Sequence, residues 1–131
     1  MMVKGYNGEM YDRADISDLV GQVFTSVTED GYEMVFENDT MKFTFYHFQD
    51  CCESVGIEDI EGDLSDLVGT PILLAEEVSG VTPESEYDSY MSQTWTFYKF
   101  GTIKGYVDVR WLGESNGYYS ESVDMKKEMK N

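Results

Sequence analysis

The heptapeptide Asp15-Ile16-Ser17-Asp18-Leu19-Val20-Gly21 returns with one substitution as Asp63-Leu64-Ser65-Asp66-Leu67-Val68-Gly69. An aromatic segment follows each copy, Thr44-Phe45-Tyr46-His47-Phe48 after the first and Thr96-Phe97-Tyr98-Lys99-Phe100 after the second. Each then runs into a β-branched stretch that ends on glycine, 55–62 and 107–113. Two ordered matches behind a near-identical heptapeptide predict a degenerate duplication of a unit of about fifty residues. The pseudo-repeats fall at about 15–62 and 63–113, with a closing hairpin at 114–125 and a basic tail at 126–131. Residues 1–125 then form a single β-rich domain, long enough for one continuous core.

Within the heptapeptide, Asp15 or Asp63 can cap a short helical turn, and Gly21 or Gly69 can end it in a left-handed conformation. Segments 22–29 and 32–37 flank Asp30-Gly31, a hairpin signal, and Asn38-Asp39 turns the chain into 40–48. Strands at 71–79 and 92–100 flank an acidic, serine-rich loop at 80–91. A strand at 102–112 follows, and Asn116-Gly117 turns into 118–125. Ten Tyr and seven Phe favour strands over helices. The expected fold is mainly β: an antiparallel sheet curled or doubled into a sandwich or barrel, with two short helical pieces.

Charge narrows the range of functions. Twenty-six Asp and Glu against nine Lys and Arg give a formal net charge of −17. That balance repels nucleic acid and anionic membrane alike, so neither is an expected direct partner. No run of 18 apolar residues exists and the first ten residues lack an apolar h-region, so neither a membrane span nor a secretory signal is expected. Residues 43–98 contain no Lys or Arg, yet hold twelve carboxylates. Cys51 and Cys52 are adjacent, where a bridge is rare; no disulfide scaffold is expected, and the reducing cytoplasm is the natural compartment.

His47, Cys51 and Cys52, with Asp50 and Glu53 interleaved, form the one cluster of metal-seeking residues in the sequence. Zinc takes imidazole, thiolate and carboxylate in a four-coordinate shell, so a ligand set drawn from His47, Asp50, Cys51, Cys52 and Glu53 is expected to hold it. The spacing matches no standard finger, and the alternative is a partly exposed histidine beside two small buried thiols. A catalytic Cys–His pair is disfavoured because neighbouring carboxylates raise a thiol's pKa. The acidic run 58–63 lacks the residue order of an EF-hand loop.

Taken singly, the acids read as the solvated face of a strand. Taken together, twelve uncompensated carboxylates cost stability through self-repulsion, which points to a use. One use is imitation of nucleic acid, since strand-borne acids can occupy a groove built for phosphates. The other is attachment to a basic protein surface. Glu58, Asp59, Glu61, Asp63, Asp66, Glu76 and Glu77 are the candidate contact residues. Trp95, Phe97, Tyr98, Trp111, Tyr118 and Tyr119 read as core and cross-strand pairs.

Several stretches resemble a family of small phage and prophage proteins. They are Tyr46-His47-Phe48-Gln49-Asp50-Cys51-Cys52-Glu53-Ser54-Val55 with Ile57-Glu58-Asp59, then Gly62-Asp63-Leu64, Pro71-Ile72-Leu73-Leu74-Ala75-Glu76-Glu77, and Thr96-Phe97-Tyr98. Arg110-Trp111 and Ser115-Asn116-Gly117-Tyr118-Tyr119-Ser120-Glu121-Ser122-Val123 belong to the same resemblance. In size, acidity and its metal-seeking cluster the chain is also similar to anti-CRISPR inhibitors of type II effector nucleases. That similarity implies His47, Asp50, Cys51 and Cys52 as zinc ligands and leaves the inhibitory surface open. The expected function is therefore inhibition of a host CRISPR effector nuclease in the bacterial cytoplasm, through an acidic surface, by a non-enzymatic monomer or small oligomer with a structural zinc. A metal-dependent phage accessory enzyme acting on a small substrate is the alternative, and a phage structural or assembly factor a third.

Overall fold

The computed structural model describes residues 2–4, 10–81, 92–116 and 119–130. Its strands are β1 (Met2–Lys4), β2 (Met10–Arg13), β3 (Ser26–Glu29), β4 (Met34–Glu37), β5 (Met41–Tyr46), β6 (Ser54–Glu61), β7 (Leu74–Val81), β8 (Ser92–Thr102), β9 (Gly105–Ser115) and β10 (Asp124–Met129). Two 3-10 turns, Ile16–Leu19 and Leu64–Leu67, are the described helical pieces. The strands form two antiparallel sheets, ordered β1-β2-β10-β5-β4-β3 and β6-β9-β8-β7. None of the described helices is long and apolar enough to cross a membrane.

Alternation sets which side faces in. β8 buries Thr96, Tyr98 and Phe100 while Phe97 and Lys99 face out; β9 buries Val107, Val109 and Trp111 while Asp108 and Arg110 face out. The inner faces meet in an aromatic core. Phe36 packs on Phe100 at 4.9 Å between ring centres, and Phe45 on Tyr98 at 5.0 Å, so rings from one sheet interlock with rings from the other.

Each sheet borrows its fourth strand. β3-β4-β5 is one meander and β7-β8-β9 the other; β6 leaves the first to pair with β9, and β10 leaves the second to pair with β5. The two heptapeptides lie where the units meet. Gly21 N–H donates to the Ile72 carbonyl at 2.8 Å, and Gly69 N–H to the Phe24 carbonyl at 2.9 Å. Val23 and Pro71 form an antiparallel bridge between these contacts. Both glycines hold a left-handed φ, +88° and +87°, and Leu19 and Leu67 are both fully buried.

Three sequence expectations change. Residues 44–46 of the segment at 44–48 end β5, the third strand of its meander, whereas 96–100 lies in β8, the second of its own. Their matching Thr-Phe-Tyr letters therefore do not share a place: Phe45 is 1% exposed and Phe97 38%. Among the described residues no hairpin closes 114–125, because β10 pairs with β5 and β2 in the other sheet; positions 117–118 of the expected turn lie outside the described residues. The lysine-rich end is likewise not a tail. Lys126, Lys127 and Glu128 lie in β10, and Lys130 reaches Glu37 at 2.7 Å, holding that carboxyl below its usual range.

Candidate functional site

Ile57 and Ile60 are three residues apart, a spacing that simple alternation cannot bury on one face. A bulge between Ile57 and Asp59 resolves it. Ile57 stays opposite Trp111 and Ile60 opposite Val109, both against the core. Asp59 and Glu61 are thereby turned outward, opposite Arg110 and Asp108, and Glu58 lines a surface hollow with Leu112 and Glu114.

The outer face of the four-stranded sheet consequently carries ordered rows. One runs Glu76, Lys99, Asp108, Glu61; the next runs Val78, Phe97, Arg110, Asp59. Trp95 and Leu112 pair in a third. A hollow of about 260 Å³ is lined by Asp59, Glu61, Phe97, Asp108 and Arg110. Six carboxylates (Glu58, Asp59, Glu61, Glu76, Asp108 and Glu114) thus surround two cations and a strip of apolar side chains. The cations lie over rings: Lys99 is 5.3 Å from the Tyr106 ring centre and Arg110 5.2 Å from that of Trp95. Arg110 and Asp59 are 4.0 Å apart and both substantially exposed, so their pairing adds little to stability.

Of the seven acids singled out for partner contact, Glu58, Asp59, Glu61 and Glu76 share this face. Asp63 instead caps the second 3-10 turn, accepting from Ser65 N–H at 3.0 Å and its hydroxyl at 2.8 Å. Asp66 sits in the same turn, where its carbonyl accepts the Thr102 hydroxyl. Glu77 stands opposite Tyr98, on the other side of β7. Asp108 and Glu114 were missed, although the alternation of acids with Val107, Val109 and Trp111 places them outward. Glu84, Glu86 and Asp88, with most of the expected loop at 80–91, lie outside the described residues.

Of the five metal candidates, His47 meets Glu53 through its side chain and Asp50 and Cys51 only through backbone N–H groups, while Cys52 is joined to Cys51, so among the described residues their side chains form no metal-holding group. Glu53 is buried at the entry to β6, where its two oxygens accept four hydrogen bonds. His47 Nε2 donates at 2.8 Å, Gln49 Nε2 at 3.1 Å, Asp50 N–H at 3.0 Å and Cys51 N–H at 2.8 Å. A carboxylate offers about four lone-pair sites, so this set fills them. His47 Nδ1 lies 2.7 Å from the Ser122 carbonyl, so both ring nitrogens face acceptors. Burial pushes the Glu53 carboxyl up, but the bonds from His47 and the backbone amides outweigh it and hold the group at about 2.

Cys51 and Cys52 are both exposed and bonded to each other as a vicinal disulfide, against the expectation of free thiols. In this arrangement the residues do not present a zinc shell: the sulfurs are joined, Glu53 has no lone pair to spare, and His47 is engaged at both nitrogens. The loop instead fastens one crossover to the other. His47 meets Ser122, and Phe48 N–H donates to Asp124. A second buried carboxylate, Glu121, occupies the other crossover, and Glu53-Ser54-Val55 recurs as Glu121-Ser122-Val123. That repeated tripeptide was the available signal for it.

The Glu53 arrangement predicts a pH dependence. A folded-state pKa near 2, against an ordinary 4.5, contributes stability that is fully present above 4.5 and lost as pH falls toward 2. Glu53→Gln is expected to be less stable at neutral pH and to show a flatter decline over that acid window. Denaturant melts at stepped pH measure this, and parallel profiles for the two proteins would exclude the role.

Residues 17–125 match the family model described as a domain of unknown function, DUF7448. The chain belongs to this family. The matched span runs from the first 3-10 turn into β10 and contains both the outer sheet face and the Glu53 loop. No curated protein matches the chain, and no solved structure does.

Proposed function

We propose that the protein is a phage-encoded, non-enzymatic inhibitor that binds a basic surface of a host defence nuclease, of the CRISPR effector class that the sequence resemblance implies, in the host bacterial cytoplasm. The contact surface is the outer face of the four-stranded sheet. The observation that carries the reading is the bulge at Ile57/Asp59, which turns Glu58, Asp59 and Glu61 onto one face with Glu76, Asp108 and Glu114. An acidic rim around Trp95, Phe97, Val78 and Leu112 combines charge steering with apolar anchors, the composition of a protein-binding patch. Strand-borne acids of this kind also compete for a groove built for phosphates. A structural zinc belongs to this proposal only in a form whose Cys51–Cys52 bond is reduced and whose His47 has left Glu53 or Ser122.

Capture of a purified, guide-loaded type II effector on the immobilised protein tests the reading. Binding is expected at low salt and should weaken steeply as salt is added, because the contact is between exposed charges. Absence of capture at both low and physiological salt would end it.

A further inference from the structure

A cleft at the edge of the sandwich, away from the outer sheet face, has a volume of about 360 Å³. That is the small end of the range for ligand pockets. Its walls include Glu77, Thr94, Thr96, Ser120, Glu121 and Ser122. Glu77 comes from β7, while Glu121 comes from the β9–β10 crossover and is about nine-tenths buried. Three hydroxyls serve Glu121: Thr94 donates at 2.7 Å, Ser92 at 3.3 Å, and Ser115 to the second oxygen. Each hydroxyl has one proton, so Thr94 has only lone pairs left for a ligand. With about four sites and three donors, Glu121 keeps acceptor capacity as well.

Glu77 adds a second carboxylate, opposite Tyr98 in the β7–β8 pair. Burial, and then the charge of Glu77, push the Tyr98 phenol up, so it stays protonated beside that carboxylate. Among the described residues no Lys or Arg lines the cleft, and neither Glu77 nor Glu121 is in an ion pair. An anion is repelled here, and an apolar occupant would strip water from two carboxylates without replacing its hydrogen bonds. A planar cation with several N–H donors answers both acidic groups and the acceptor hydroxyl together.

We infer that this cleft binds a guanidinium group, carried by a small molecule or by an arginine side chain of a protein partner. The site is separate from the outer sheet face, and its occupation does not depend on that face being an interface.

Amide-resolved NMR titration of the intact protein tests it, with methylguanidinium as one probe and a blocked tripeptide carrying a single arginine as the other. Saturable shifts are expected at Thr94, Thr96 and Ser122. Methylguanidinium alone sufficing identifies a small-molecule source, whereas binding seen only with the peptide identifies an arginine side chain; either supports the site. Glu77→Gln, a change at an exposed residue, should weaken binding about tenfold or more. Glu121→Gln should weaken it too, and because that variant risks misfolding the Glu77 result decides. No saturable shift with either probe would overturn the inference, as would affinity unchanged in Glu77→Gln or shifts centred on Asp59, Glu61 and Asp108.

Discussion

Phe45→Ala is expected to cost about 3–5 kcal/mol of folding free energy, whereas Phe97→Ala should cost about 1 kcal/mol or less. Both phenylalanines are the middle residue of a Thr-Phe-Tyr segment, yet their surroundings differ. Phe45 is 1% exposed and packs on Phe36 at 5.7 Å, Tyr98 at 5.0 Å and Phe100 at 5.7 Å, so its ring joins the two sheets. Truncation leaves a cavity at that junction that the flanking rings cannot close without moving a strand. Phe97 lies on the outer face, stacked on Trp95 at 6.3 Å and half open to water. Chemical denaturation of the two variants measures the difference. Equal losses would mean that the two segments occupy equivalent places after all.

That pair also shows how far the fold could be read from residues alone. The heptapeptides were legible because capping aspartate, buried leucine and left-handed glycine are local requirements met within seven residues. Strand exchange was not, since the choice of β6 for β9 and of β10 for β5 depends on contacts between distant segments. Matching the Thr-Phe-Tyr letters aligned β5 with β8 when pairing equates β5 with β9. Lys126 and Lys127 looked like a solvated tail because their charge hides that the strand's other partners, Phe43 and Thr44, come from far upstream.

The site divides in the same way. His47, Asp50, Cys51, Cys52 and Glu53 were recognisable as one cluster, because they lie within seven consecutive positions. Their organisation was not recognisable, since it turns on backbone N–H groups of Asp50 and Cys51 pointing at Glu53, and an N–H group leaves no mark in the residue letters. On the acidic face, Glu58, Asp59 and Glu61 read as a charged run. Only the bulge explains why all three share a side with Asp108, and only the β7–β8 register brings Glu76 beside Lys99.

The second large effect concerns that face. Combined Asp59→Lys, Glu61→Lys and Asp108→Lys reverses three charges in two adjacent strands. All three side chains are exposed, so folding stability should change little: the lower overall negative charge offsets part of what the new like-charge contacts with Lys99 and Arg110 cost. A basic partner would now meet like charge, which costs several kcal/mol across an interface and corresponds to a loss of about 100-fold or more in affinity. Control substitutions Asp63→Asn and Asp66→Asn, in the 3-10 turn, should change binding far less.

Binding through the acidic face is decided by the dissociation constant for a purified, guide-loaded type II effector, measured for the unaltered protein and for the triple charge-reversal variant at one low salt concentration. Measurable binding by the unaltered protein is expected, with a loss of about 100-fold or more in the variant and melting temperatures alike. Equal affinities for the two proteins, or no binding by the unaltered one, would contradict binding through that face.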